Sequence, residues 1–112
     1  MKAEFLQAAQ ELVAKAGIGE TFQITYKSVF GAVAAYADGR IFLTCGKFGI
    51  ALKLPEETCR SLIEQGHGEP LKYFEKGHVK KSYVVLFDPV LNDPERMTAL
   101  TRQSGMFTQE ID

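Results

Sequence analysis

The stretch that decides the fold is SVFGAVAAYADGRIFLTCGKFGIALKL, residues 28–54. It consists of short β-rich runs that are broken by glycines and by Asp38-Gly39. An Asp-Gly pair between two such runs favours a two-residue type I′ turn, because both central residues need a positive φ. This turn would pair Ala37 with Arg40, and residues 46–49 would form a second turn. The stretch therefore predicts a small antiparallel meander.

Two features of this region leave more than one interpretation. Gly31 separates residues 28–30 from 33–37, and we predict a β-bulge or a close backbone approach there. Residues 18–27 alternate apolar and polar side chains, which fits either a strand or an extended connection.

Helical patterns flank the meander and follow it. Residues 2–16 carry one apolar stripe, and Gly17 follows as the end of the first helix. Pro55 suits the start of a second helix, which ends at Gly66. Asp93-Pro94 indicates the start of a third helix. Gly105 inside the third pattern predicts an end or a kink. Between the second and third helices we predict a loop at 66–70, a short strand at 71–74, a turn at 75–78 and an interior strand at 80–87. This order predicts an α+β fold with an antiparallel meander sheet packed against N-terminal, middle and C-terminal helices.

The composition fits one soluble domain spanning residues 1–112. Apolar residues make up 46% and charged residues 24%, and the net charge is −1 with a pI near 6.1. General attraction to nucleic acid or to an anionic membrane is therefore not expected. We find no signal peptide and no apolar run long enough to span a membrane. The two cysteines form no Cys-x-x-Cys motif, so we expect free thiols and a cytoplasmic protein.

The residues that could support metal or thiol chemistry are few. Cys45, Cys59, His67 and His78 show no zinc-type spacing, and we expect no metal site and no cofactor. Cys59 could pair with His67 or His78 as a thiol–imidazole couple, but it falls on a predicted buried stripe, where thiols are normally inert. We therefore expect no catalytic residues and a protein that is not an enzyme.

A basic and aromatic segment lies at residues 72–83. Lysines alternate there with aromatic side chains, and such a surface could contact phosphates and stack on bases. In the interpretation that we favour, the lysines guard a strand end while the aromatic side chains pack inward. A small-molecule or catalytic pocket near His78 and Tyr83 is a third hypothesis. The candidate interaction or nucleic-acid surface consists of Lys72, Tyr73, Lys76, His78, Lys80, Lys81 and Tyr83.

An ordered set of short motifs over residues 5–107 resembles the N-terminal domain of the TfoX/Sxy family. The motifs are Val29-Phe30-Gly31, residues 36–42 (YADGRIF), residues 52–55 (LKLP), Gly66, Glu69-Pro70, Gly77-His78 and residues 81–85 (KSYVV). Relatives often carry Lys-Glu-Trp where this chain has Lys81-Ser82-Tyr83. They also place Met before the Phe-Gly element and a second small residue after it, where this chain has Val29 and Ala32. A more distant likeness, at the level of the fold, is to the YjbR-like proteins.

The resemblance implies a small bacterial α+β domain without an established enzymatic activity. Competence regulators with this domain carry a second, C-terminal domain, for which 112 residues leave no room. We therefore expect a regulatory or protein-interaction module whose partner is another protein or a second copy of the chain. A nucleic-acid-binding module is the alternative, and no membrane partner is expected.

Overall fold

The computed structural model describes residues 1–73 and 78–110, except for the side chains of residues 73 and 78–81. Six antiparallel strands form one sheet in the order β1-β2-β3-β4-β6-β5. The α+β prediction is confirmed. In chain order the elements are α1 (Ala3–Ala16), a 3₁₀ turn (Ile18–Glu20), β1 (Ile24–Val29), β2 (Ala32–Ala37), β3 (Arg40–Gly46), β4 (Gly49–Lys53), α2 (Glu56–Glu64), β5 (Gly68–Tyr73), β6 (His78–Leu86), α3 (Asp88–Leu91) and α4 (Pro94–Glu110).

Two-residue turns connect the strands of the meander. Ala37 pairs with Arg40 across Asp38-Gly39, whose φ angles are 48° and 85°, so the predicted type I′ turn is confirmed. Gly46 pairs with Gly49, which confirms the second turn. The prediction of a bulge or a close backbone approach at Gly31 is wrong, and a β-carbon there would meet nothing within 4 Å. Val29 pairs with Ala32, and Phe30-Gly31 forms another two-residue turn with φ angles of 49° and 81°.

The bulge of the meander lies on β3 instead. Ala35 pairs with Leu43 and Tyr36 with Ile41, so Phe42 is the extra residue. Phe42 and Leu43 consequently both join the main core beneath the helices. Residues 18–27, which the sequence left ambiguous, contain the 3₁₀ turn and then β1.

The helices cover one face of the sheet and build the main core against it. Cys45 and Cys59 are buried free thiols within this core, as predicted. The predicted stripe of α1 is confirmed, because Ala9, Val13 and Ala16 are buried and Gly17 caps the helix with a left-handed φ of 68°. The helical face of the sheet contributes mainly Ala35, Ala37, Phe42, Leu43, Cys45, Leu52, Leu54, Val84 and Leu86.

Two predicted element boundaries are wrong for identifiable physical reasons. The helix α4 does not stop at Gly105. The glycine is buried there, and a β-carbon would approach Ile18 Cδ1 to 3.2 Å, so close packing on the 3₁₀ turn accounts for it. The predicted loop at 66–70 contains the start of β5, in which Pro70 pairs with Val84. Proline is tolerated in that position because β5 is an edge strand.

The opposite face of the sheet carries a second, smaller apolar cluster. Ala51, Leu71, Tyr83 and Val85 are buried in it, and Ile41 packs against them. As predicted, β6 lies inside the sheet, with Val84 and Leu86 in the main core and Tyr83 and Val85 on the other side. We call this side, which faces away from the helices, the open face.

Candidate functional site

A cavity of about 250 Å³ lies on the open face. The residues that line it come from three distant parts of the chain. Val29, Phe30 and Ala32 belong to the β1–β2 hairpin, Thr44 and Phe48 to the β3–β4 hairpin, and Leu71 and Lys72 to β5. The strands β1 and β5 are opposite edges of the sheet. The sheet therefore curls toward its open face, so that the end of β5 meets the tips of both hairpins.

Phe30 and Phe48 project from the two hairpin tips, and we call this pair the aromatic rim. Phe30 is 80% exposed and Phe48 is 43% exposed. Phe30 has a φ of 49°, in the left-handed region that bulky residues rarely adopt. An exposed aromatic residue in a strained turn contributes little to packing, and strain of this kind is found preferentially at functional sites.

Gly46 lets the Phe48 ring lie close over the sheet. A β-carbon at Gly46 would come within 2.9 Å of the Phe48 ring and within 2.9 Å of the Ala32 β-carbon. The absence of a side chain thus leaves room for the ring beside the cavity. The position of the Phe48 ring therefore depends on Gly46 of β3 as well as on the turn that carries Phe48.

Thr44 is the polar group of the cavity wall. It is only 7% exposed, and its hydroxyl has no hydrogen-bond partner within the part of the chain that the structure describes. Its cross-strand neighbours are Ala34 on β2 and Ala51 on β4, which carry no polar side-chain atom. A buried hydroxyl without a partner costs about 1–3 kcal/mol.

Two described lysines place positive charge in the cavity lining or beside it. Lys72 is exposed and belongs to the lining, and Lys47, next to Phe48, is also exposed. The described lining contains no acidic residue. Elsewhere on the open face, the Lys27 ammonium lies 5.1 Å from the centroid of the Tyr36 ring. The cavity mouth therefore favours an anionic group.

The structure separates the site residues that the sequence suggested. Lys72 lines the cavity, whereas Tyr83 is 7% exposed in the small apolar cluster, with the Lys53 ammonium 5.6 Å from its ring centroid. Tyr83 is not among the described residues that line the cavity. The backbones of Tyr73, His78 and Lys80 belong to β5 and β6, as does that of Lys81, but their side chains lie outside the description, and Lys76 lies wholly outside it.

Sequence reasoning missed Phe30, Phe48 and Thr44 as site residues. The available signal was the Phe-Gly pair at Phe30-Gly31, which places an aromatic residue at a turn position that usually holds Asn, Asp or Gly. No signal of this kind marks Thr44, because its isolation depends on which residues neighbour it across the strands.

The cysteines and the described histidine lie apart from this cavity. Burial raises the pKa of both Cys45 and Cys59 to about 11, so both thiols stay protonated at neutral pH. The Cys59 Sγ lies 3.6 Å from the Leu54 carbonyl oxygen. His67 Nδ1 lies 2.9 Å from Nη1 of Arg96. In the described ranges, no three His, Cys, Asp or Glu side chains come together to hold a metal ion.

The fold and the site define a small α+β domain with one helix-covered sheet face and one open face. Residues 16–107 match the TfoX N-terminal domain, and the chain belongs to that family. The family resemblance inferred from the motifs is thereby confirmed. A search of curated proteins finds no significant match. Among the described residues, no helix has the length and apolarity needed to cross a membrane.

Proposed function

We propose that the protein is a non-enzymatic interaction module that binds a partner protein through the aromatic rim. The observation that carries the proposal is Phe30, which is 80% exposed while its backbone is held at a φ of 49°. Exposed aromatic side chains supply much of the binding energy of protein interfaces. Here such a side chain occupies a position that Asn or Gly would occupy with less strain.

The surroundings of the rim support a partner of particular chemistry. Lys47 and Lys72 are exposed beside Phe48 and the cavity. Complementary charge across an interface steers association and fixes its register. The partner segment is therefore an apolar residue flanked by acidic residues, with its apolar side chain between the two phenylalanines.

The buried thiols favour binding over nucleophilic catalysis. With the pKa of Cys59 raised to about 11, the thiolate that attacks a substrate is scarce near pH 7. The cavity near the rim is lined by Thr44 and Lys72 together with apolar residues and contains no described histidine or carboxylate. A general base has no evident place in that lining.

Site-specific photocrosslinking tests the proposal. A benzophenone amino acid is placed at position 48 in the full chain, inside cells that make the protein naturally, and crosslinked products are identified by mass spectrometry. We expect one dominant partner, and Phe30→Asn in the same chain should reduce its capture at least about tenfold, as for an interface hot spot.

Met106 provides the matched control position. It is 54% exposed on α4, outside the open face, so a crosslinker there should not capture the same partner. Equal capture from position 106, or capture at position 48 that Phe30→Asn leaves unchanged, would contradict the proposal. A product made of two copies of this chain would identify a homodimer, and a product that nuclease removes would favour a nucleic-acid module instead.

A further inference from the structure

The cavity beneath the aromatic rim has the size and composition of a small-molecule site. Its volume is about 250 Å³, and Val29, Ala32 and Leu71 give it apolar walls. An engineered apolar cavity of roughly 150 Å³ in another protein is large enough for benzene. This cavity can therefore hold a single aromatic ring with a short substituent.

Two polar features distinguish this cavity from an empty apolar void. The Thr44 hydroxyl is buried in its wall and finds no partner among the residues that the structure describes. The residues that pair with Thr44 across the strands, Ala34 and Ala51, provide no competing polar side-chain group. Lys72 adds a cation to the lining, and it is exposed to solvent.

We propose that the cavity binds a small aromatic carboxylate that carries a hydroxyl group. The ring occupies the apolar walls, the hydroxyl pairs with Thr44, and the carboxylate lies at Lys72. A site that offers a buried hydrogen-bonding group rejects analogues that lack the matching group, because the protein group is then left without a partner. The site therefore favours ligands that carry both the hydroxyl and the carboxylate.

This ligand site goes beyond the proposed partner binding and does not depend on it. The partner contacts the exposed rings of the rim, whereas the ligand lies beneath them against Thr44. Thr44→Val should therefore abolish selection of the ligand hydroxyl and leave partner capture at position 48 unchanged. Phe30→Asn should weaken partner capture at position 48, whereas ligand binding is measured on the isolated chain without a partner, so failure of either proposal is visible without the other.

Three related probes test each contact in turn by nuclear magnetic resonance titration of the full chain. They are 4-hydroxyphenylacetate, phenylacetate, which lacks the hydroxyl, and 4-hydroxyphenylacetamide, which lacks the charge. We expect the first to bind about tenfold more tightly than either of the others, since each lost polar contact is worth about a factor of ten. The backbone signals that shift should come from residues 29–32, 44–48 and 71–72.

Variants test which residue causes the preference for the hydroxyl and which causes the preference for the carboxylate. Thr44→Val should remove the preference for the hydroxyl and keep the preference for the carboxylate, and Lys72→Gln should do the reverse. Thr98→Val and Lys15→Gln, on α4 and α1, are the matched controls and should keep both preferences. All variants are first compared by their two-dimensional spectra, so that only folded proteins are scored.

Specific outcomes would overturn the inference. Equal affinity for the three probes would mean that neither polar contact is made. Shifts that spread over other surfaces, or a hydroxyl preference that survives Thr44→Val, would place binding elsewhere. If none of the three probes produces saturable shifts at the cavity, the cavity holds solvent only and the proposal is wrong.

Discussion

Phe30 shows how a single residue can be unfavourable for folding and still define a surface. Its φ of 49° places a bulky side chain in the left-handed region, which costs about 1–2 kcal/mol. Because the side chain is 80% exposed, its burial offsets little of this strain energy. At the corresponding place in the next turn, Asp38 has nearly the same φ of 48° but is a residue type that tolerates it.

Phe30→Asn should therefore stabilise the protein. Asn-Gly is the preferred pair for a type I′ turn, and we expect the free energy of unfolding to rise by about 0.5–1.5 kcal/mol. Urea denaturation followed by circular dichroism measures this change.

Phe48→Asn is the matched control for that measurement. Phe48 is also an exposed aromatic residue of a hairpin turn, but the non-glycine residues with positive φ in the described chain are Phe30 and Asp38. The control relieves no left-handed strain and should give no gain. A gain of equal size in both variants would show that removal of exposed apolar surface, and not backbone strain, is the cause.

The edge strand β5 shows, at the scale of one element, why a glycine can be required in a strand. Gly68 pairs with Leu86 at the start of β5, and a β-carbon there would lie 2.8 Å from the Val85 carbonyl oxygen. It would also lie 2.7 Å from a Val84 methyl group. The strand can begin at this point only because residue 68 has no side chain.

Gly68→Ala should consequently destabilise the protein by about 1–3 kcal/mol, since a backbone oxygen cannot move aside as a flexible side chain can. Thermal and urea unfolding both report the change. Gly19→Ala is the control, because nothing lies within 4 Å of a β-carbon at Gly19 and its φ is not positive. That variant should stay within about 0.5 kcal/mol of the parent protein. A similar loss in both variants would point to a general cost of replacing glycine.

Local chemistry determined which elements could be predicted from the sequence. The Asp38-Gly39 turn followed from two residues whose backbone preferences agree with the turn. The turn at Phe30-Gly31 goes against the preference of phenylalanine for a negative φ, and the start of β5 contains Gly68 and Pro70, which are poor strand formers. In both places strand pairing outweighed intrinsic preference.

The candidate site was less predictable than the fold because it is assembled from distant segments. Lys72 was singled out from its basic neighbourhood, and it does line the cavity. Thr44 was not singled out, because its lack of a hydrogen-bond partner depends on the alanines that pair with it from β2 and β4. A periodic pattern reveals which face a residue occupies, but it does not reveal what lies opposite to it across a curled sheet.

At the scale of the whole molecule, α4 joins the helical layer to the sheet through a polar contact in the core. Ser104 is fully buried, and its Oγ lies 2.7 Å from the Phe42 carbonyl oxygen and 2.6 Å from that of Lys53. Phe42 is the bulge residue of β3. Its carbonyl group thus obtains from the helix a hydrogen bond at the point where the strand ladder is irregular.

Ser104→Ala should lower the free energy of unfolding by about 1–3 kcal/mol, because buried carbonyl groups lose a donor and no water replaces it. Gln103→Ala, at the exposed neighbouring position, should change it by less than about 0.5 kcal/mol. Differential scanning calorimetry of the two variants makes the comparison. If Ser104→Ala were as stable as the control, the hydroxyl would be a space-filling group and not a link between the layers.

The contact between α1 and α4 has a consequence for the order in which the protein folds. The Arg102 guanidinium donates to the carbonyl oxygen of Ala16, the last residue of α1, which lies 86 positions earlier in the chain. The meander can form early because its turns close loops of only two residues, whereas this contact must close a loop of 86 positions. During synthesis on the ribosome, the part of the core between α1 and α4 therefore stays open until α4 has emerged, and chaperones can bind the exposed apolar surface at that stage.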